Sequence, residues 1–296
     1  MATSSQPSHA WPADLPPGTL YAVADGRVQT IDSRDGRLTR TGARTGSGET
    51  SLTPLAGGVL VWRAGGRVRV VVTTGGTVRA VGGRLRSASA FLPGPHGSVW
   101  AAGLERPERM TWRRLDADGR PATSVGVDGS AQSDGGGGLL SITSRGVRPV
   151  VPSSRRPRQR GEVVAVGPAG YVRRSCSRGE CRFTLHHHAA GPDTELTTAV
   201  GEDTTAGVLS PTNRLLAVTE TVGGTSTLRV SVVATGQIVE IFDEPGGSAA
   251  DAVWLDDRWL ALSSADQLVL YDATDDRVVV PDVPLSGSGP LAWLPA

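Results

Sequence analysis

Lysine is absent from this chain: all 30 basic residues are arginine, set against 29 Asp and Glu. The resulting net charge of +1 provides no overall drive toward nucleic acid or an anionic membrane. An all-arginine surface instead suits bidentate contact with carboxylates and phosphates. Long apolar runs are also missing. No stretch approaches the roughly 18 consecutive apolar residues of a membrane helix, and residues 1–17 show neither the basic start nor the apolar middle of a signal peptide. Phosphate-loop, dinucleotide-fingerprint and EF-hand patterns do not occur. Cysteine is limited to Cys176 and Cys181.

Glycine and short apolar segments are abundant. The 39 Gly and 20 Pro fit a chain with many turns, without the periodicity of a fibrous one. Residues 251–283 show the organising unit. Apolar segments at Ala252 to Leu255, Trp259 to Leu262, Leu268 to Tyr271 and Val278 to Val280 are separated by Asp256-Asp257, Ser263 to Asp266 and Asp272 to Asp276. Such segments are too short for helices, and their polar separators reverse strands, so the stretch reads as four antiparallel strands.

The second strand of that unit recurs along the chain. Taking Leu20, Leu60, Val99, Leu139, Val172, Leu216 and Leu260 as equivalents, the intervals are 40, 39, 40, 33, 44 and 44 residues. A period near 40 with four strands per repeat is the signature of propeller blades. The turn after the third strand also repeats, as Asp32 to Arg37, Asp116 to Arg120, Ala234 to Gln237 and Asp272 to Arg277. Leu209-Ser210-Pro211-Thr212-Asn213-Arg214-Leu215-Leu216-Ala217-Val218 is similar to the Ser-Pro-Asp-Gly-Arg-Leu-Leu-Ala segment of WD-repeat propellers. Thr30-Ile31-Asp32 and Leu270-Tyr271-Asp272 fall where their Trp-Asp pair ends the third strand. The chain thus resembles bacterial propellers of the WD-repeat-like type over nearly its whole length. The resemblance implies an all-β, seven-bladed β-propeller of four-stranded antiparallel blades, and carries over no functional residue. Residues 1–17 are expected to be a disordered lead-in or linker, and residues 18–296 a single domain. Leu291 to Leu294 is an orphan strand that would join Leu20 to Thr41 and close the ring, leaving no open sheet edge.

One unit departs from the pattern. Its first strand would fall at Ser130 to Gly138, which ends in four glycines, and its last in Arg155 to Arg160. That glycine run reads either as a floppy loop or as a place where a ligand or partner approaches the backbone beside the arginines. In the next unit Cys176 and Cys181 flank a turn, where facing positions bring Cβ atoms close to disulfide geometry. A disulfide, two free thiols and a Cys/Cys/His metal site all stay open, although four intervening residues suit a zinc knuckle poorly. His186 to His188 read as a solvated strand end, and tryptophans 62, 100, 112, 254, 259 and 293 as packing between blades.

No nucleophile elbow lies between a strand and a helix, and no histidine set converges on a channel. The remaining reading is a non-catalytic binding module without metal or cofactor. It would be a monomer, engaging a protein or a small ligand, but neither nucleic acid nor the membrane interior, through loops on one ring face. The alternative is a lyase or hydrolase with carboxylates at the channel mouth. Loops between blades and between second and third strands nominate Arg106, Asp128, Asp134, Arg145, Arg160, Glu202, Asp203, Glu244 and Asp251. A disulfide would favour an extracellular or envelope-exposed setting over a cytoplasmic one.

Overall fold

A computed structural model describes residues 9–45, 50–63, 69–81, 85–86, 88–103, 109–151, 158–178, 180–189, 192–196, 204–222, 225–242, 252–264, 266–285 and 289–296. Arg106, Glu202, Asp203, Glu244 and Asp251 lie outside the described residues. The chain is all-β, and its regular structure is a series of antiparallel sheets.

Local turn chemistry sets the strand ends. Asp256 Oδ1 accepts from the backbone N–H of Arg258 at 2.8 Å and of Trp259 at 2.7 Å, starting the strand Trp259–Ser264. The recurrent turn after the third strand works in the same way. Asp32 Oδ1 accepts from Arg34 N at 3.0 Å, Asp116 Oδ1 from Arg120 N at 2.8 Å, and Thr235 Oγ1 from Gln237 N at 3.2 Å. Gly36, Gly119 and Gly236 complete these turns at φ of 70°, 78° and 68°, where a Cβ is disfavoured.

The strand Leu291–Pro295 pairs antiparallel with Gly18–Ala24, which continues to Arg27–Asp32 and Leu38–Arg44. We call this the terminal sheet. Sheets of residues 50–80, 91–128 and 252–279 have four strands each in sequence order, and the 130–151 sheet has three among the described residues. Residues 162–196 and 204–242 form two further four-stranded antiparallel arrays. These are joined by parallel pairing of their first strands at Ala165 with Gly207 and Val166 with Val208. Every segment aligned by the repeat is a second strand in its array, from Gly18–Ala24 to Trp259–Ser264.

Apolar residues pack between successive sheets. Leu140, Val147 and Tyr171 join the 130–151 and 162–196 sheets. Leu20, Ile31 and Leu291 of the terminal sheet share a core with Trp259, Leu268 and Leu270. Trp100, Trp112, Trp254 and Trp259 are all buried, consistent with their expected packing role.

Residues 9–17 differ from the expected lead-in. Trp11 and Leu15 pack on the core between the terminal and 252–279 sheets, and Trp11 Nε1 donates to Ser33 O at 2.8 Å. Asp14 Oδ2 lies 2.8 Å from Arg258. An indole, a leucine and a carboxylate thus help to anchor a segment that shows no periodicity.

Candidate functional site

The end of the sheets that carries the turns between second and third strands holds an open cleft of about 590 Å³. It is lined by the turn Thr143–Gly146, by Arg160 to Glu162, and by Arg174 and Cys176. It therefore straddles the seam between the 130–151 and 162–196 sheets.

Each wall follows from local chemistry. Thr143 pairs with Gly146, which leaves Ser144 and Arg145 at a hairpin tip, and Thr143 Oγ1 accepts from Arg145 N at 3.1 Å. Gly146 stands at φ 114°, and a Cβ there would lie 2.0 Å from Gln159 O. This close approach allows Val147 and Gln159 to exchange hydrogen bonds of 2.7 and 2.9 Å. Arg158 then clamps the tip, donating to Thr143 Oγ1 at 2.5 Å and Gly146 O at 3.1 Å. Gly161 repeats the device, since its Cβ would meet Arg174 O at 2.0 Å. On the second wall Arg174 Nε donates to Glu162 Oε1 at 2.7 Å, and its Nη1 donates to Thr204 O at 2.9 Å.

Cys176 and Cys181 face each other across their hairpin and are joined, with Cα atoms 4.0 Å apart. Of the three readings left open, the bridge is the one found. Arg145 and Arg160 are exposed, and among the described residues neither guanidinium has a hydrogen-bond or ion-pair partner. Arg158 and Arg174, a few residues away, are fully engaged.

The structure divides the remaining nominated residues. Asp128 ends the strand Pro121–Asp128 at the cleft's end of the sheets, where its carbonyl accepts from Ser141 Oγ at 2.6 Å. Asp134 belongs elsewhere. It sits in the turn from Ser130–Ser133 to Leu139–Thr143, at the opposite end of those strands from Arg145. There it is buried, its Oδ1 accepting from Gly136 N at 2.9 Å and Gly138 N at 2.7 Å.

The glycine run around Asp134 is a packing device. A Cβ on Gly135 would lie 2.3 Å from Gly167 O, one on Gly137 2.6 Å from Pro95 N, and one on Gly138 2.1 Å from Val151 O. Neighbouring sheets make the close approach at Gly135 and Gly137 and the same sheet makes it at Gly138, and Trp100 Nε1 donates to Gly137 O at 2.9 Å. Neither the floppy loop nor a ligand is needed to explain the run.

Of the three histidines only His186 departs from a solvated strand end; His187 is half-buried and His188 exposed. His186 is 1% exposed, stacked at 4.8 Å on Tyr171, with Nε2 accepting from Arg173 Nε at 3.1 Å and Asp193 Oδ2 3.0 Å from Nδ1. Arg173 also donates to Arg160 O, which pins the main chain at the cleft. Burial pushes the Arg173 guanidinium below its ordinary range, partly offset by Tyr171 and Asp193. His188 Nε2 donates to Asp134 O at 2.9 Å, and Asn213 Nδ2 lies 3.5 Å from His187 Nδ1. These histidines tie one sheet to both of its neighbours. Strand alternation puts His186 on the opposite face from Leu185, so its burial came from the register that sets it across from Tyr171 rather than from a sequence pattern. No group of three or more potential metal ligands occurs among the described residues.

No protein-family model matches the chain, and no curated protein matches it. Solved structures do. A Bacteroides fragilis protein assigned as a 6-phosphogluconolactonase superposes with a TM-score of 0.60 at 10% identity, over 94% of this chain and 98% of its own. Pseudomonas brassicacearum lignostilbene dioxygenase gives 0.56 at 10% identity, over 98% and 94%. TolB from Acinetobacter baumannii gives 0.51 at 13%, over 94% and 67%. At these identities the likeness is one of fold, and it is β-propeller-like.

Proposed function

We propose that the chain is a seven-bladed β-propeller of WD-repeat-like type, a non-catalytic binding module that engages a protein partner at the ring end carrying the 143–146 turn. In this reading residues 18–296 are one domain. Leu291–Pro295 supplies the inner strand of the blade begun by Gly18–Ala24. Ring closure is supported by that pairing and by the core shared between the terminal and 252–279 sheets. The seven-blade count is supported by the seven repeats in the sequence. The binding reading rests on one observation: Arg145 and Arg160 face an open cleft without partners, beside Arg158 and Arg174, which are engaged. Charged groups on loops of a rigid scaffold are the usual means of recognition. The Cys176–Cys181 bridge supports an oxidising setting, extracellular or at the envelope.

The test is a charge reversal, Arg145→Glu with Arg160→Glu, alongside Arg214→Glu at the opposite end of the strands. The double variant is expected to keep the wild-type melting temperature and to lose partners captured from envelope or extracellular fractions, while the Arg214 variant keeps them. Retention of every partner by the folded double variant contradicts the assignment of this end.

A further inference from the structure

Resting on the reading of this end as the binding end, we propose that its cleft recognises a carboxylate-bearing polypeptide segment, an acidic loop or tail of the partner, through Arg145 and Arg160. The cleft is lined by three arginines, 145, 160 and 174, and one carboxylate, Glu162, so its formal charge is 3 − 1 = +2. Glu162 already accepts from Arg174, which leaves the other two guanidinium groups for a ligand. Each offers a planar fork of donors that matches a carboxylate.

The placement of these two groups favours a chain over a compact oxyanion. Arg145 stands on a hairpin tip of one sheet and Arg160 on the entry to the next, so the two charges lie on opposite sides of a seam. A small anion is best held by successive backbone N–H groups pointing at one spot. Here the N–H of Arg145 is consumed by Thr143 Oγ1. Glu162 in the same wall opposes a concentrated dianion. A polypeptide can set side-chain carboxylates against the arginines and its own N–H groups toward Glu162 and the hydroxyl of Ser144. The main chain beneath both arginines is fixed, by Arg158 at the 143–146 tip and by Arg173 at the Arg160 carbonyl, so little ordering cost falls on the site when it binds.

The test titrates the full chain with a labelled hexaglutamate peptide, hexaglutamine, a single-stranded oligonucleotide of matched charge, and inorganic phosphate. Hexaglutamate is expected to bind and to weaken as salt rises. Its affinity should fall about tenfold for each of Arg145→Ala and Arg160→Ala, the scale of one charge-assisted contact, with hexaglutamine and phosphate failing to compete. Equal hexaglutamate binding by the double alanine variant overturns the site. Equal competition by the oligonucleotide or by phosphate overturns the ligand class. If hexaglutamate does not bind while the double Glu variant still loses its captured partner, the acidic segment is wrong and the binding end stands. If hexaglutamate binds as expected while that variant keeps every partner, the anion site is real and the proposed binding end is wrong.

Discussion

The seam between the terminal and 252–279 sheets buries thirteen apolar residues in one cluster, whereas the seam between the 130–151 and 162–196 sheets buries three. The 252–279 side of the first seam is further held by a buried carboxylate. Asp272 holds Arg258 through Nε at 2.7 Å and Nη2 at 2.5 Å, and both Arg258 and Arg277 lie over the Trp259 ring at 5.4 and 5.5 Å. The second relies on polar ties, His188 to Asp134 and the Val147–Gln159 backbone exchange, and it is the seam that opens into the cleft. Apolar burial stabilises in proportion to area and without direction, whereas polar ties contribute less and fix geometry. One seam holds the molecule together and the other presents its arginines.

The largest effect should come from removing the strand that the first seam depends on. Deleting residues 290–296 exposes the unpaired edge of Gly18–Ala24 and the apolar faces beside it, so cooperative thermal unfolding should disappear. An unchanged transition would refute ring closure. Next in size is Trp259→Ala, which empties a fully buried indole site and should cost about 3 to 5 kcal/mol in denaturant unfolding. Tyr171→Ala at the second seam should cost less, because fewer buried neighbours surround it.

The contrast also predicts an acid response. Burial by itself would raise the Asp272 pKa. Hydrogen bonds from Arg258 and the N–H groups of Thr274 and Asp275, with the Arg258 charge, outweigh it and hold the carboxyl below its ordinary value of about 3.9. A depressed carboxylate contributes stability that is present above the unfolded pKa and lost as pH falls through the folded one. Stability should therefore decline below about pH 4. Asp272→Asn should flatten that part of the profile while costing about 2 to 3 kcal/mol at neutral pH, since Arg258 remains partly exposed. The smallest effect is expected at the cleft wall. The Cys176–Cys181 bridge closes a very short loop, so replacing both by serine should cost only about 1 to 2 kcal/mol.

What was legible in the sequence was whatever is decided locally. The strand positions follow from short apolar segments between Asp, Gly and Thr turns, and the side chains of Asp32, Asp116 and Asp256 cap their own turns within four residues. The hairpin facing of Cys176 and Cys181 is equally local. Arg145 could be nominated because a two-residue turn leaves its tip residues in solvent. The failures involve partners distant in sequence. Asp134 and His188 are 54 residues apart, and the glycine run answers to Gly167 and Pro95 on other sheets. The anchoring of Trp11 on Ser33 needs a core that is assembled from both ends of the chain. No spacing rule reports such meetings, so polar and glycine residues that fasten sheets look in sequence like loops.

Hydrogen–deuterium exchange resolved by peptide compares the seams within one molecule. Local opening follows the apolar contact that must be broken. Amides of Gly146–Val151 and Glu162–Gly167 should exchange well before those of Gly18–Ala24 and Trp259–Ser264 under native conditions. Protection of the cleft seam equal to or longer than that of the terminal seam would contradict the division between a seam that holds and a seam that opens into the cleft.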